Sequence, residues 1–491
     1  MRAIVGAPIV LGPALPAYRP QPIKRVSTDS RMIGEGDLFI AVRGERFDGH
    51  DFVAQAFEAG AVAAVVSDPA ACGETAPTGP LLVVRDTVDA LGKIAAWHRR
   101  EHAHCTVVGI TGTNGKTTTK ELVAHLLGSG TNEVHKTRAN DNNLIGVPQT
   151  LLGIRPEHRY CVVELGSNRL GEIPALASVV QPDLGVLTNS AASHLDGLKS
   201  EQGVMQEEAS MLAEMSDDGL ALLNADCESS EYGRAAARDG ARILTFGLEK
   251  ECDFRAEGLS LGADGVHFTL RWQHARNGRR LPEARRESFF VPLPGMYNVR
   301  NALAALAVAW HAGVAMREIK HRLRTVRPPS LRSEIRELAG GALTLIDDCY
   351  NANPASMQAA LETLVHFRAQ RHVAVLGEMA ELSDLALTYH HKLGEKLAAH
   401  GIPLVVTVGA HAAVAGEVAR QAGATVVCCD DAVEAAERLV ALLEPGDTVL
   451  VKGSRSNQLE VIGEVLTAQQ AALRKHMSAA NRSKATQVRR A

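Results

Sequence analysis

Aromatic residues make up only 4% of this 491-residue chain, against 46% hydrophobic residues overall. That balance is ordinary for a soluble globular protein. No stretch approaches the roughly 20 apolar residues of a membrane span, which excludes helical membrane insertion. The first residues are apolar but interrupted by glycine and proline, with little positive charge and no clear cleavage site. No signal peptide is expected from them. Neither sign of charge dominates: the net charge is −4, so no polyanion-binding surface is implied and no nucleic-acid partner is expected. There is no Cys-x-x-Cys. The eight cysteines are scattered, which argues against a disulfide framework and for reduced thiols in a multidomain, cytoplasmic protein.

Against these absences stands one dense motif, from Val107 to Glu121. Val107, Val108 and Ile110 read as a buried strand. The chain then turns through Gly112, Thr113, Asn114 and Gly115, and Lys116-Thr117-Thr118 opens a helix carrying Leu122, Val123, Leu126 and Leu127. Glycines let backbone N–H groups wrap a polyphosphate, the helix N-terminus favours negative charge, and Lys116 adds a full positive charge. Thr117 is placed to offer its hydroxyl to Mg²⁺. Ile110 stands where the longer P-loop pattern has glycine, so this is the shorter Gly-x-x-Gly-Lys-Thr form. A Gly-rich strand-to-helix turn can also be mere tight packing; the Lys-Thr pair at the helix mouth favours phosphate.

The length suits about three domains of roughly 150 residues each. Residues 1–98 read as a small α/β unit, 99–328 as a P-loop unit, and 329–468 as a third α/β unit after the Arg327-Pro-Pro-Ser330 linker. Cys161–Leu165 and Leu184–Asn189 are apolar runs ending in polar residues. Ligands gather beyond the C-terminal ends of such strands, so Glu164 and Asn189 should face the P-loop. The alternation around Val266–Trp272 indicates an antiparallel elaboration, and the basic stretch 276–286 reads as a solvated loop. Strands and helix-length segments alternate after residue 343, as in a parallel α/β sheet. Residues 469–491 are polar and basic and read as a disordered tail.

Further segments follow the P-loop in order: Thr137–Pro148, Val163–Asn168, Thr188–Gly197, Gly295–Asn301 and Ile346–Met357. With Asp29-Ser-Arg31, Gly44–His50, Leu376–Leu382 and Val451–Ser456, this set resembles the Mur ligases, the ATP-dependent amide-forming enzymes of peptidoglycan synthesis. Within them it is most similar to the branch that joins D-alanyl-D-alanine to UDP-N-acetylmuramoyl-tripeptide. The resemblance implies a UDP-sugar domain, a central ATPase domain and a C-terminal Rossmann-like domain, acting as a monomer. It implies ATP and Mg²⁺ as cofactors, and an acyl phosphate on the tripeptide carboxylate that the dipeptide amine attacks. Folylpolyglutamate synthases and the ligase adding the third residue are related alternatives. The Asp347–Pro354 segment and the Asp-Ser-Arg domain argue against both. A nucleotide-binding homologue with weakened catalysis is the remaining alternative.

Carried over residue by residue, the resemblance gives Lys116, Glu164 and His194 to catalysis, with Thr117, Glu164 and His194 around magnesium. Alone, Glu164 could be a capping carboxylate and His194 a turn histidine. Asn298 and Asn301 match the family's adenine-side pair, with Tyr297 where many relatives have histidine. Arg332 matches its linker arginine near the γ-phosphate and Asp348 its ribose-side aspartate; both would reach the nucleotide only as the domains close. Ser30, Arg31, Phe47, Asp48, Gly49 and His50 match the UDP-sugar contacts, and Lys452, Ser454 and Arg455 at the last strand's end are weaker candidates for substrate contact. One position departs. The family carries a carbamate-modified lysine soon after His-Leu-Asp-Gly, but Gly203–Leu212 contains no lysine. Glu208 takes that place by count, with Glu207 one residue away.

Overall fold

In a computed structural model the protein is described over residues 2–6, 9–10, 21–44, 46–72, 79–128, 131–262, 264–274 and 280–474. Among these, the chain forms three sheets of five, nine and six strands. In the first, Arg25–Ser27, Asp37–Ile40, Ala63–Val66 and Leu81–Val83 run parallel in that spatial order, and Ile9–Val10 adds an antiparallel edge. Asp37–Ile40 and Ala63–Val66 are buried on both faces, which explains why they read as continuous apolar runs.

The central sheet is parallel from Val134–Lys136 through Tyr160–Glu164, Thr106–Thr111, Leu184–Leu187, Leu220–Asn224 and Arg242–Gly247 to Phe254–Gly262. Two antiparallel strands, Gly265–His274 and Arg280–Val291, complete it. Thr106–Thr111 lies between Tyr160–Glu164 and Leu184–Leu187, so chain order reverses direction at this strand. That reversal opens a crevice at its C-terminal end, where the Gly-rich turn lies. Helices Lys116–Leu127 and Met296–His311 pack in one apolar cluster on this sheet. The alanines at 302, 304, 305, 307 and 309 are all buried, and their small side chains let the two helices lie close.

The third sheet is ordered Glu334–Leu338, Leu343–Asp347, Asp447–Lys452, Arg371–Gly377, Leu404–Val408, Thr425–Cys429, and only its first pairing is antiparallel. The whole is an α/β protein of three sheet-based units.

Three expectations need correction. Residues 280–286 are not loop but part of the strand Arg280–Val291, whose pairing runs from Val266↔Val291 to His274↔Arg280. Its charged residues sit on an outer strand of the sheet, where one face can stay in water; 275–279 fall outside the described residues. The supposed tail continues as helix over 471–474, with Leu473 buried in the third unit's core; 475–491 lie outside the described residues. Helix Thr87–Glu101 runs straight through the 98/99 boundary. Its Leu91 and Ile94 pack in the first unit while Ala95 packs in the second.

Candidate active site

The helix Lys116–Leu127 begins at Gly115 (φ 82°) with no side-chain cap, so its first N–H groups are left for a ligand. The preceding turn leaves no room for side chains. A Cβ on Gly112 (φ 133°) would lie 2.1 Å from Thr188 Oγ1, and one on Gly115 would lie 2.3 Å from Asn301 Oδ1. The neighbouring strand end holds the turn in place: Thr113 N donates to Asn189 O at 2.8 Å and Asn114 N to Asn189 Oδ1 at 3.0 Å. Thr188 Oγ1 donates to Asn114 O at 2.7 Å. Asn189 thus meets the P-loop as its place at a strand end required.

Lys116 Nζ curls over the turn, donating to Gly112 O at 2.6 Å. Burial pushes its ammonium pKa down; Glu208 and Glu164 oppose that shift, and Arg332 adds to it. Glu164 is 1% exposed. Its Oε1 accepts from Thr117 Oγ1 at 3.1 Å and from Asn142 Nδ2 at 3.0 Å. Among the described residues its buried Oε2 has no hydrogen-bond partner, and Lys120 Nζ lies 3.4 Å away. A buried carboxylate oxygen so poorly satisfied is costly to leave alone. Beside a threonine hydroxyl it offers the hard oxygens that Mg²⁺ prefers, so these residues fit that ion.

The two acids at 207 and 208 separate cleanly. Glu208 Oε1 accepts from Thr113 Oγ1 at 2.9 Å, its Oε2 accepts from Ser190, and it shares a small cavity with Lys116 and His194. Burial raises its carboxyl to about 7, although Lys116, Ser190 and Thr113 pull the other way. Glu207 turns elsewhere. It accepts from Gly171 N at 2.8 Å and Ile173 N at 2.7 Å, capping the helix Glu172–Val180.

The third unit closes over this floor. Arg332 Nη2 donates to Thr117 Oγ1 at 3.2 Å. Asn353 Nδ2 donates to Asn114 Oδ1 at 2.7 Å and Asn114 Nδ2 to Asn353 Oδ1 at 3.3 Å, a reciprocal amide pair. Asp348 accepts from Lys452 Nζ at 2.7 Å and from Ser333 N at 3.0 Å. Lys452 is 3% exposed and serves as Asp348's counter-ion while it lines the space between the units. Tyr297 hydrogen-bonds Ser333 across the same seam, and burial pushes its phenol pKa well up. Between the units lies a cleft of about 640 Å³ lined by Thr113–Thr118, Glu164, His194, Asn298, Asn301, Arg332 and Asp348, among others. Asn298 and Asn301 are 3% and 5% exposed and bonded to each other at 3.2 Å, and Asn301 also supports the P-loop from behind.

Residues 22–99, 110–309 and 331–455 match, in turn, descriptions of the Mur ligase family catalytic domain, the Mur ligase middle domain and the Mur ligase glutamate ligase domain. A relative from Synechocystis sp. named UDP-N-acetylmuramoyl-tripeptide–D-alanyl-D-alanine ligase is 35% identical over 91% of this chain and 92% of its own. The chain belongs to the Mur ligase family. Among solved structures, a MurF from Acinetobacter baumannii superposes with a TM-score of 0.83 at 32% identity, covering 95% of this chain and 97% of that one. A MurF ligase from Thermotoga maritima in complex with ADP superposes at 0.77 with 26% identity, covering 91% and 98%.

As a Mur ligase, the chain keeps its N-terminal candidates apart from the cleft. Arg31 pairs with its own neighbour Asp29 at 2.8 Å, and its side chain is 82% exposed. Ser30 only approaches Gln55, at 3.5 Å. Phe47 is 72% exposed. Asp48 and His50 are another matter. His50 is fully buried, its Nδ1 2.6 Å from Asp48 and its Nε2 accepting from Ser67 N at 2.9 Å. Both ring nitrogens are occupied, so His50 shapes the turn instead of facing a ligand. Gly49 is packed on Val42, where a Cβ would come within 2.7 Å. Residues that sequence reasoning missed include Lys120, Asn142, Ser190, Asn353 and Glu381. Asn142, Ser190, Asn353 and Glu381 lie inside the segments that carry the resemblance, and Lys120 stands one helical turn beyond Lys116, but none was given a role of its own.

Proposed function

We propose that this chain is the ligase that joins D-alanyl-D-alanine to UDP-N-acetylmuramoyl-tripeptide with conversion of ATP to ADP and phosphate, working as a monomer in the cytoplasm. The observation that carries the reading is the cleft itself. A phosphate-cradling turn with Lys116 sits on one wall, with Arg332 and Asp348 brought against it from the other. A carboxylate cannot accept an amine while oxide is the leaving group; transfer of the γ-phosphoryl group makes an acyl phosphate, from which phosphate leaves. This gathers several anions, so the chain must supply positive charge already in place. Lys116 and Arg332 supply it from opposite walls. Asp348 is poised for a ribose hydroxyl, and Asn298 and Asn301 for the base side.

Thr117, Glu164 and His194 are the residues that would hold Mg²⁺, which when bound screens phosphate charge during transfer. Glu208 supports the same reading from a different position. Its carboxyl, ionised as pH rises past about 7, gives the region an anionic oxygen without chemical modification, where relatives use a carbamate. Seated on Thr113 and Ser190, it braces the P-loop and faces Lys116. Ser30, Arg31 and Phe47 remain the proposed UDP-sugar contacts.

The test is phosphate release from ATP with UDP-muramoyl-tripeptide, with and without D-alanyl-D-alanine. Release that requires both, with the pentapeptide formed in equal amount, is expected. Activity that ignores the dipeptide but accepts a single amino acid would move the chain to a sister ligase. No release under any combination would leave a nucleotide-binding homologue.

A further inference from the structure

The histidine of the central unit is held by the C-terminal unit. His194 Nδ1 is hydrogen-bonded to Glu381 Oε2, 187 residues further along the chain. The next backbone group repeats the link, Leu195 N donating to Glu381 O at 3.0 Å. Ser383 donates to Asp196, and Tyr389 Oη to Glu201 at 2.8 Å. Beneath these contacts Ala192, Leu195, Leu198 and Val204 belong to the same buried cluster as Met379, Leu382 and Met357 of the C-terminal unit. Both partners hold uncommon backbone: φ is 51° at His194, 60° at Glu381 and 49° at Ser383, none of them glycine. Such conformations persist where the surroundings enforce them. Here the surroundings are the opposite domain.

We propose that Glu381 is the positioning residue for His194, so that docking of the C-terminal unit fixes the imidazole with Nδ1 protonated and Nε2 presenting its lone pair. This rests on the reading of His194 as a residue of the active cleft, which it lines together with Lys116 and Glu164. A carboxylate on one ring nitrogen sets both tautomer and ring orientation for whatever the other nitrogen binds. The C-terminal unit thereby contributes to the chemistry twice. Arg332 and Asp348 come to the nucleotide, and Glu381 completes a side chain of the other domain.

The tautomer is the direct readout. In protein labelled with ¹⁵N-histidine, with His194 assigned from the His194→Gln spectrum, the wild type should show a single Nδ1–H imidazole at position 194. Glu381→Ala should give mixed tautomers, and Glu381→Gln, which keeps an acceptor oxygen, should restore most of the Nδ1–H form. In the ligase assay Glu381→Ala should lower kcat by about 10- to 100-fold, the usual range for losing the carboxylate behind such a histidine. KM for ATP should change less than kcat, and Glu381→Gln should recover most of the loss. Ser383→Ala, which removes only a docking contact, should leave the tautomer as in wild type. An unchanged His194 spectrum in Glu381→Ala, or a loss of equal size in Ser383→Ala, would overturn the proposal. A fully active His194→Ala would instead overturn the placing of His194 in the active cleft, so the two failures are distinguishable.

Discussion

The cleft and the N-terminal turn carry equally recognisable motifs, yet the fold treats them differently. In the cleft, nearly every motif residue is buried against another motif residue from a distant part of the chain. Lys116 and Glu208 share a cavity, Thr117 meets both Glu164 and Arg332, and Asn114 pairs with Asn353, 239 residues away. In the N-terminal turn the candidates bond within their own unit: Arg31 to Asp29, Ser30 to Gln55, Asp48 to His50 and His50 to Ser67, with Phe47 exposed. The difference fits the two tasks proposed above. Charge stabilisation of phosphoryl transfer needs groups fixed beforehand in a poorly hydrated space. Holding a sugar nucleotide needs only binding energy, which an exposed arginine and an aromatic ring can deliver on contact. Substitutions in the cleft should therefore act on turnover, and those in the turn on binding or on local stability.

The largest effect is expected at Lys116. Lys116→Ala should lower kcat by about 100- to 1,000-fold or more, the scale of one preorganised electrostatic donor. The melting temperature should stay near that of the wild type, since burial already disfavours this ammonium. Near-normal phosphate release from a folded variant would break the contrast at its strongest point.

Next in size is the adjacent pair of acids. Glu208→Gln keeps shape and loses the charge that this carboxyl carries as pH rises past about 7, so turnover above that pH should fall at least tenfold, read as kcat at saturating ATP, with no requirement for bicarbonate in the wild type. Glu207→Gln should leave kcat within about twofold but lower stability by about 1 kcal/mol, because a charged cap on a helix N-terminus becomes a neutral one. Thermal melts and steady-state kinetics on both variants separate the two roles. Loss of turnover in Glu207→Gln alone would mean that the pair has been assigned in the wrong order.

Arg31→Ala should sharpen the other side of the comparison. Arg31 is exposed and paired only with the part-exposed Asp29 beside it, so if it meets a phosphate, KM for the UDP-linked substrate should rise about tenfold in Arg31→Ala, as for one charge-assisted hydrogen bond of about 1.5 kcal/mol. Unchanged kcat is part of the expectation, since binding lost equally from ground and transition states leaves turnover alone. A fall in kcat with unchanged KM would place Arg31 nearer the chemistry than its exposure suggests.

What could be read from sequence divides along the same line. The P-loop was legible because its parts lie within a dozen residues and each needs a particular side chain or none. Glu164 and Asn189 were legible because strands of a doubly wound sheet end on one side. His194–Glu381 and Asn114–Asn353 were not, because nothing local fixes how two domains dock. Lys452 read as a weaker candidate for substrate contact at a strand end; its pairing with Asp348 depends on where the neighbouring strand ends. The strand Arg280–Val291 was hidden by its charged residues; Arg285 and Arg286 are exposed while Phe289 and Val291 turn inward.

The smallest effect should come from acid, and in the N-terminal turn. Burial raises the Asp48 carboxyl, but the amide and ring of His50 and the guanidinium of Arg43 outweigh it and bring the group down to about 2. A carboxylate depressed in the folded state contributes stability above its unfolded value near 4, and loses that contribution as pH falls toward 2. The gain is on the order of 1 kcal/mol, because the pair is partly open to solvent. Asp48→Asn should therefore melt below the wild type at pH 7, and the gap should narrow between pH 5 and pH 3. A gap that stays constant across that range would mean that Asp48 acts through shape alone. His50, with both nitrogens already occupied inside the turn, would then be held by Ser67 rather than by charge.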